Sequence, residues 1–383
     1  MRLTYHFDLL SAYMERLYQK LRIAVIYGGD KNKEGSVIYK THNPRSTKTY
    51  EKVAHDIANA LENVGFEQVF VMADDITLAE KLKQENIHIC WLNTGGVQGY
   101  NPLCHTPAIL EMLGMPYVGH NPLNSSILDN KHCFKLELQA LGFKTAPFMT
   151  WHPSQGIFHS RENSRFLLTF EDYSGPFLVK PISGRASLNI YFVETAEQLT
   201  DAVAQVHEIT HNTALIETYL PGREFCVAVC GYITHTKRHF SKNSHPFAFS
   251  TIERILDPGI PIFTSMDQKA ISTDRMQLLK DENLDIKHNL IDIAQRIYRD
   301  FSLNTLVRID LRADDRGTLY ILEANPKPDL TRPTENVTSL VVEGLGEYGM
   351  SYEDLILSLL ADRLDYLLTY RSNTIAHIVE LIQ

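Results

Sequence analysis

Four polar side chains between residues 308 and 325 have types and spacings that suit a metal and phosphate site. Glu323 and Asn325 are two residues apart, as are Arg308 and Asp310, so on strands each pair points to one side. Carboxylate and amide oxygens are ligands that Mg²⁺ takes, together with water and substrate phosphate. A guanidinium fixed beside them can stabilise a developing negative charge. We therefore expect Asp310, Glu323 and Asn325 to bind Mg²⁺ or Mn²⁺, with Arg308 as a catalytic residue.

A β-hairpin would bring these four residues together. Val307, Ile309 and Leu311 alternate with polar residues, which is the period of a strand with one buried face. Residues 314–317, DDRG, are typical of a tight turn, because Asp bonds its own backbone and Gly accepts positive φ. Residues 319–322, LYIL, then begin a second strand. An edge hairpin with solvated charges is the alternative, but charges inside apolar strands favour the metal site.

Length and composition limit the possible classes of protein. The 383 residues are enough for two or three domains, and the net charge of −9 argues against a dominant nucleic-acid surface. No run of about 18 apolar residues occurs, so no membrane span is expected. In the first 20 residues, the apolar side chains have the spacing of an amphipathic helix, and there is no signal-peptide cleavage site. The five cysteines form no C-x-x-C pair, which fits a cytoplasmic location.

The first third of the chain alternates buried strands with helices, as in a doubly wound parallel sheet. Strands are predicted at 21–27, 68–72, 87–92 and 116–119, and helices at 47–63, 77–85 and 105–113. Glycines follow two of these strands, at Gly28-Gly29 and in NTGGVQG at 93–99. Ligands bind at such strand ends in doubly wound sheets.

The pattern R-I-D, a turn and L-E-A-N-P resembles the last metal-binding hairpin of the ATP-grasp ligases, and the D-alanine–D-alanine ligases are most similar by pattern. The strand ending in glycines and LGMPYVG at 113–119 also match that family. The resemblance implies an α/β protein of the ATP-grasp fold, in which a doubly wound parallel-sheet domain precedes two α+β subdomains that clamp ATP. The expected divisions are a helical extension at 1–20, an N-terminal domain at 21–126, a central subdomain at 127–216 and a C-terminal subdomain at 217–383.

The resemblance also implies a phosphate site. Lys131, at the start of a helix, matches a family lysine that reaches ATP phosphate. Lys180 ends an apolar strand, so its ammonium can pair with phosphate oxygens in a cleft. The family then has a glycine- and serine-rich loop, of which Ser183, Gly184 and Ser187 remain. Backbone N–H groups of such a loop can bind phosphate.

The adenosine site is implied by the stretch ETYLPGREF at 217–225, which is similar to a family motif. Glu217 opens this motif, and the backbone of Tyr219 and Leu220 would hydrogen-bond the adenine edge. Glu224 would accept hydrogen bonds from the ribose hydroxyls. A plain strand-turn-strand is the alternative, although it does not explain two glutamates that flank the turn.

The positions that would bind the amino-acid substrates depart from the family pattern. Glu34 is the nearest candidate for the family glutamate that holds the first D-alanine, and Asn93 stands where the family has histidine. Asp329 replaces a glycine, and Thr334 takes the place of a serine that binds the second substrate. An acidic wall repels a carboxylate and attracts an amine or a hydroxyl. The Tyr-Lys pair of the family's lid is absent, and Lys269 is a candidate for its lysine.

Together these features predict an ATP-dependent ligase that joins a carboxylate to an amine through an acyl phosphate. The altered positions favour amino-acid substrates other than two D-alanines. Three alternatives remain: an authentic D-alanine–D-alanine ligase of cell-wall synthesis, an ATP-grasp kinase with a hydroxyl acceptor, and a non-catalytic ATP-binding protein. The expected partners are small carboxylate and amine substrates, with neither nucleic acid nor membrane. The C-terminal stretch 352–383 is predicted to be helical with two apolar seams, which suggests a homodimer.

Overall fold

The computed structural model describes residues 6–41, 49–184, 188–237, 239–263, 271–272, 274–335 and 337–383. Their strands form one parallel sheet, two larger antiparallel sheets and a two-stranded hairpin. A search of these residues for a membrane-spanning helix found none of sufficient length and apolarity. Ser187 and Lys269, which the sequence analysis singled out, lie outside the described residues.

The N-terminal sheet is parallel and has the strand order β2-β1-β3-β4. Its strands are β1 (Arg22–Gly28), β2 (Gln68–Asp74), β3 (Ile89–Asn93) and β4 (Tyr117–Val118), and its helices are α1 (Leu10–Lys20), α2 (Glu51–Asn63), α3 (Leu78–Gln84) and α4 (His105–Met112). Ile23 and Val25 on one side of β1 and Ala24 and Ile26 on the other are fully buried. A strand covered on both faces must be apolar throughout, which explains the continuous apolar run in the sequence.

Helix α2 begins later than the sequence predicted. Tyr50 precedes it with a left-handed φ of 57°, so the described helix begins at Glu51, and residues 47 and 48 of the predicted range lie outside the described residues. Val53, Ile57 and Leu61 recur at helical spacing and are buried. The start of α2 therefore places Tyr50 at the carboxyl end of the parallel sheet, where β1 ends.

The central sheet is antiparallel, with the order β5-β8-β6-β7. Its elements are α5 (Pro122–Asp129), α6 (Lys131–Ala140), β5 (Phe148–Trp151), α7 (Ser164–Phe170), β6 (Phe177–Pro181), β7 (Tyr191–Val193), α8 (Leu199–Thr210) and β8 (Ala214–Thr218). Leu178 pairs with Glu217 and Lys180 pairs with Leu215. Because residues two apart share a face, Lys180 and Glu217 lie diagonally across one face of this sheet.

The third sheet is antiparallel, with the order β13-β12-β9-β14-β15. Its elements and those that follow are β9 (Glu224–Cys230), the hairpin strands β10 (Ile233–Thr236) and β11 (His239–Lys242), β12 (Phe247–Arg254), β13 (Met276–Leu278), α9 (Leu284–Asp300), β14 (Val307–Ala313), β15 (Leu319–Asn325), α10 (Tyr352–Tyr370) and α11 (Ala376–Ile382). Glu224 on β9 pairs with Arg254 on β12 and with Arg312 on β14. Three charged residues are thus aligned across neighbouring strands.

The last hairpin forms as the alternation and the turn predicted. Asp310 pairs with Glu323, and Arg308 pairs with Asn325. The pairing register of the two strands shifts after Asp310. The four polar residues lie on one side of this shift, and the residues near the turn lie on the other. The sheet therefore presents two carboxylates, an amide and a guanidinium at the end of the hairpin that lies away from its turn.

The two terminal helices of the described chain pack against the body and against each other. Leu10, Met14 and Leu17 on α1 are buried, and the guanidinium of Arg16 donates a hydrogen bond to the carbonyl of Ile382 at the end of α11. Helix α10 buries apolar residues on both of its sides within this same chain. The apolar seams predicted for the C-terminal stretch thus contribute to the intramolecular core, and the homodimer stays a prediction.

Candidate active site

A cavity of about 670 Å³ lies where the N-terminal domain, the central sheet and the last hairpin meet. Its volume is within the range of small-molecule sites, about 300–1,000 Å³. Residues 49–53 at the start of α2 contribute one wall, and residues 326–331 after the hairpin contribute another. The predicted site residues on its surface are Lys131, Lys180, Gly184, Arg308, Asp310, Glu323, Asn325 and Asp329.

Asp310 is the most heavily engaged carboxylate in the cavity. Its side chain is buried, and Arg308 contacts both oxygens, with Nε 2.8 Å from Oδ1 and Nη2 2.9 Å from Oδ2. Arg254 Nη1 donates to Oδ2 at 3.1 Å, and Asn325 Nδ2 donates to it at 3.3 Å. Burial alone would lower the pKa of Arg308, but the adjacent Asp310 carboxylate raises it. Arg308 is therefore a fixed positive charge in the cavity wall.

Glu323, opposite Asp310, is paired with a lysine instead. Lys131 Nζ lies 3.2 Å from Glu323 Oε2. Burial would raise the pKa of Glu323, but Lys131 and Lys180 together hold it at about 2. The residue is ionised at neutral pH, so it can ligate a cation without first losing a proton.

Lys180 and Glu217 belong to a buried ion-pair group that includes a third residue, Lys135. Lys180 donates to Glu217 Oε1, and Lys135 Nζ lies 2.9 Å from Glu217 Oε2. Lys135 also donates to Thr145 Oγ1 at 2.6 Å. Burial would raise the pKa of Glu217, whereas Lys135 and Lys180 lower it. Glu217 therefore serves as a permanent counter-charge to Lys180, which lines the cavity.

The sequence analysis missed Lys135, although a signal was present. Lys135 lies four residues after Lys131, and the two share a buried helix face with Phe134 and Leu138. A lysine at the apolar positions of an amphipathic helix needs a buried partner. The spacing indicates such a partner, but only the fold identifies it as Glu217.

Glu224 is held by two arginines that the sequence analysis did not single out. Arg254 Nη2 lies 2.7 Å from Glu224 Oε1, and Arg312 Nη1 lies 3.1 Å from Oε2. Arg312 Nη2 also donates to the hydroxyl of Tyr219 at 2.6 Å. Since Arg254 contacts Asp310 as well, it connects the predicted ribose carboxylate to the predicted metal carboxylate. Arg312 alternates with apolar residues in the same way as Arg308 and Asp310, and this alternation was the signal that could have identified it.

The backbone near Tyr219 has one group already engaged. The N–H of Tyr219 donates to the carbonyl of Pro176 at 2.9 Å. Leu220 follows as a buried residue. The carbonyl of Tyr219 accepts a long hydrogen bond of 3.5 Å from the hydroxyl of Tyr173, and the adenine contact by Tyr219 and Leu220 stays a prediction.

The start of α6 is joined to the loop that follows β6. Asn130 caps this helix by accepting hydrogen bonds from the N–H groups of His132 and Cys133. The backbone N–H of Lys131 donates to the carbonyl of Ile182 at 2.7 Å, and its Nζ donates to the carbonyl of Gly184 at 3.2 Å. This arrangement brings Lys131 to the same cavity wall as Gly184.

Ser183, in the same loop, is buried. Its hydroxyl donates to the carbonyl of Tyr100 at 3.1 Å and accepts from Asn212 Nδ2 at 2.9 Å. These contacts fix the loop to its neighbours, so the Ser183 side chain faces protein rather than the cavity.

The four predicted substrate residues lie at different distances from the cavity. Asp329 is on its surface. Asn93 is buried behind it and donates from Nδ2 to the carbonyl of Tyr50 at 3.1 Å, and Tyr50 is a wall residue. Glu34 and Thr334 are exposed, and among the described residues neither belongs to the cavity lining.

Comparisons with known proteins identify a family of similar sequences. The family model described as D-ala D-ala ligase C-terminus matches residues 138–361. A D-alanine–D-alanine ligase of Pelotomaculum thermopropionicum is 24% identical over 343 residues, which are 88% of this chain and 94% of that protein. One from Francisella philomiragia is 25% identical over 329 residues, 85% of this chain and 95% of that protein.

A solved structure has the same architecture. The crystal structure of a D-alanine–D-alanine ligase from Bacillus anthracis, complexed with ATP, superposes with a TM-score of 0.64 at 20% identity. The match covers 90% of this chain and 97% of that one. This likeness confirms the predicted α/β fold class.

Proposed function

This chain belongs to the D-alanine–D-alanine ligase family, whose C-terminal model matches residues 138–361, and we propose that it joins two molecules of D-alanine. It is an ATP-dependent ligase that forms C–N bonds, and its fold is ATP-grasp. The curated relatives are matched over 94% and 95% of their own length, so the similarity extends over nearly the whole of each relative. The prediction of different amino-acid substrates, made from the altered substrate-binding positions, is not confirmed, and the relatives, which are D-alanine–D-alanine ligases, favour D-alanine.

The observation that carries the proposal is the composition of the single cavity that joins nucleotide and substrate residues. Lys131 and Lys180 supply positive charge to its lining, together with Arg308, Asp310 and Glu323, and Lys131 lies next to Glu323. Phosphoryl transfer depends mainly on positioning and on stabilising charge. A cavity that combines two lysines, a fixed arginine and two carboxylates is suited to this chemistry.

For ATP, we assign the phosphates to Lys131 and Lys180. Lys180 can turn from Glu217 to a phosphate, because Glu217 keeps Lys135 as a second cationic partner. The ribose hydroxyls are assigned to Glu224, whose two oxygens are held at fixed positions by Arg254 and Arg312. These contacts would orient the γ-phosphoryl group toward the hairpin.

The oxygen ligands at the hairpin fit a divalent cation. Asp310 and Glu323 are directly opposed, Asn325 pairs with the nearby Arg308, and all four line the cavity. We therefore propose that Asp310, Glu323 and Asn325 would hold Mg²⁺. A bound Mg²⁺ would neutralise phosphate charge during transfer.

The proposed reaction has two steps. The carboxylate of the first D-alanine attacks the γ-phosphoryl group while the lysines hold the phosphates, the bond between the γ-phosphorus and ADP breaks, and an acyl phosphate forms as ADP leaves. The amine of the second D-alanine then attacks the acyl carbon and phosphate leaves. Arg308, fixed by Asp310 at 2.8 and 2.9 Å, would stabilise the negative charge on the oxygen of the tetrahedral intermediate.

A ligase with a different acceptor amino acid is the second candidate. The observation in its favour is Asp329, a carboxylate in the wall of the cavity at a position where the family pattern has glycine. A side-chain donor on the acceptor would be attracted there. The two candidates share the nucleotide chemistry and differ only in the amino acids used.

The test is phosphate release from ATP and Mg²⁺ with D-alanine alone, followed by mass spectrometry of the product. We expect D-alanyl-D-alanine, no release with L-alanine, and loss of activity in Asp310→Asn. Asp315→Asn is the matched control, because Asp315 is exposed at the turn of the same hairpin. Release only with another pair of amino acids would replace D-alanine by that pair. A phosphorylated hydroxyl product without released phosphate would point to the kinase alternative and contradict the proposal.

A further inference from the structure

Asp329 has one carboxylate oxygen fixed by the protein and one that is not. Oδ1 accepts hydrogen bonds from Thr331, with 2.9 Å to its Oγ1 and 3.3 Å to its backbone N. Oδ2 is buried and, among the described residues, has no hydrogen-bond partner. A buried polar atom without a partner is uncommon and calls for an explanation. Because Asp329 lines the cavity, a donor on a bound substrate would supply that partner.

Two positively charged side chains near Asp329 influence its carboxyl group. Lys327 and Arg308 act on its carboxyl group from the cavity wall, but burial prevails and raises its pKa. Lys327 Nζ lies 3.6 Å from the centre of the Tyr50 ring, which holds this ammonium against an aromatic face. Burial raises the pKa of Tyr352, and the Asp329 carboxylate adds to this effect. The Tyr352 hydroxyl donates a hydrogen bond to the carbonyl of Leu330 at 2.8 Å.

The second step of the proposed reaction needs a proton acceptor. The amino group of an amino acid is largely protonated at neutral pH, since even an α-amino group in a peptide has a pKa of about 7.7–8.0. An ammonium has no lone pair and cannot attack an acyl phosphate. A carboxylate in the cavity can both bind this cation and accept its proton. Arg308, on the same cavity, stabilises the opposite charge that develops on the acyl oxygen.

We propose that Asp329 binds the ammonium group of the attacking amine and accepts a proton from it. This inference rests on the proposed ligase function. The proton moves from nitrogen to Asp329 Oδ2, and the freed lone pair forms the C–N bond. The C–O bond to phosphate breaks, its electron pair leaves with phosphate, and phosphate takes the second proton of the nitrogen. Asp329 then releases its proton to solvent.

Hydroxylamine separates this role from the rest of the reaction. It is already largely unprotonated near neutral pH, so it traps an acyl phosphate as a hydroxamate without help from a base. We expect Asp329→Asn to form the hydroxamate from ATP and D-alanine within about twofold of the wild-type rate, while kcat/KM for the amine acceptor falls by about 10²-fold or more. Asp315→Asn, which changes an exposed carboxylate at the turn of the preceding hairpin, should leave both rates unchanged.

The pH profile and further variants provide independent measurements. In Asp329→Asn, kcat/KM for the amine should rise steeply toward alkaline pH, where the free amine becomes abundant. Asp329→Gly removes the carboxylate without burying an amide and should behave like Asp329→Asn, and Asp329→Glu should recover part of the lost rate. Equal losses with hydroxylamine and amine in both carboxylate-free variants, or no loss with either, would overturn the role of Asp329. Absence of hydroxamate with the wild-type protein would instead overturn the ligase chemistry, and this inference with it.

Discussion

Asp310 and Glu323 are directly opposite each other across the last hairpin, yet each is balanced by a different kind of cation. Asp310 is held by Arg308 and Arg254, whereas Glu323 contacts Lys131 from another part of the chain. Arginine stays charged and binds a carboxylate with two donors, whereas lysine offers a single mobile ammonium. We infer that Asp310 is the rigid member of the pair and that Glu323 is the member that changes partner when a ligand binds.

Glu323→Gln should reduce ligase activity and weaken the response to Mg²⁺. The substitution removes one ionised ligand and the carboxylate partner of Lys131, but it leaves the buried Asp310–arginine group intact. We expect the rate of phosphate release to fall by about 10²-fold or more, in keeping with the loss of a charge-stabilising group. Titrating Mg²⁺ while phosphate release is measured checks this. An unchanged Mg²⁺ requirement would argue against the proposed ligand set.

Lys135→Met should destabilise the protein by about 2–4 kcal/mol, because removal of one partner leaves part of a buried charge unpaired. It should also weaken ATP binding, since Lys180 would become the sole cation for Glu217. Urea unfolding and ATP titration calorimetry measure the two effects. Lys144→Met is the control, because Lys144 follows the helix that carries Lys135 and its side chain is exposed. A double variant Lys135→Met with Glu217→Gln should recover much of the stability, and failure to do so would mean that the ion pair is not the cause.

The stability of the protein should fall in acid through Glu217. Its pKa is lower in the folded state than the ordinary value of 4.5, so the folded state binds fewer protons than the unfolded one around that pH. The contribution is therefore fully present above pH 4.5 and is lost as the pH falls below it, through the lower folded pKa. Urea unfolding between pH 3 and 6 should show a shallower decline in Glu217→Gln than in the wild type. Parallel pH profiles would exclude Glu217 as a contributor.

Arg254→Lys should weaken the binding of the ATP ribose by Glu224. One ammonium cannot reproduce the two contacts that Arg254 makes, 2.7 Å to Glu224 and 3.1 Å to Asp310. We expect the Kd for ATP to rise by about tenfold, which is about 1.4 kcal/mol, with less discrimination against 2′,3′-dideoxy-ATP. Arg223→Lys is a suitable comparison, since Arg223 pairs with Glu253 at a more exposed position. Retained discrimination in Arg254→Lys would show that Glu224 holds its position without Arg254.

The hairpin and the parallel sheet could be predicted because their signals are local. Alternation along β14, the turn at 314–317 and the apolar run of β1 are each contained within a few residues. The cation partners could not be predicted in this way. Lys135 meets Glu217 from a helix more than seventy positions earlier in the chain, and Arg254 reaches Asp310 only because β12, β9 and β14 are neighbours in one sheet.

The substrate positions show the same limit. Asn93 was selected by comparison with a family motif, and in the structure it supports the Tyr50 carbonyl behind the wall. Glu34 was selected by its distance from two glycines, but that loop leaves it exposed. Asp329 could be selected from its position in the chain, and the structure adds that one of its oxygens is unpaired. Loop conformation, which sequence spacing does not determine, decides which of these residues reaches the cavity.

The packing of α1 against α11 has a consequence for the order in which the protein folds on the ribosome. One continuous core contains Leu10 and Leu17 from α1, Ile23 from β1, Leu360 from α10 and Ile378 from α11. Contacts this distant in sequence form only after the intervening chain has been synthesised. We therefore expect the apolar surface of the N-terminal sheet to stay exposed until the last helices have been synthesised. Nascent chains truncated before α10 should require chaperones.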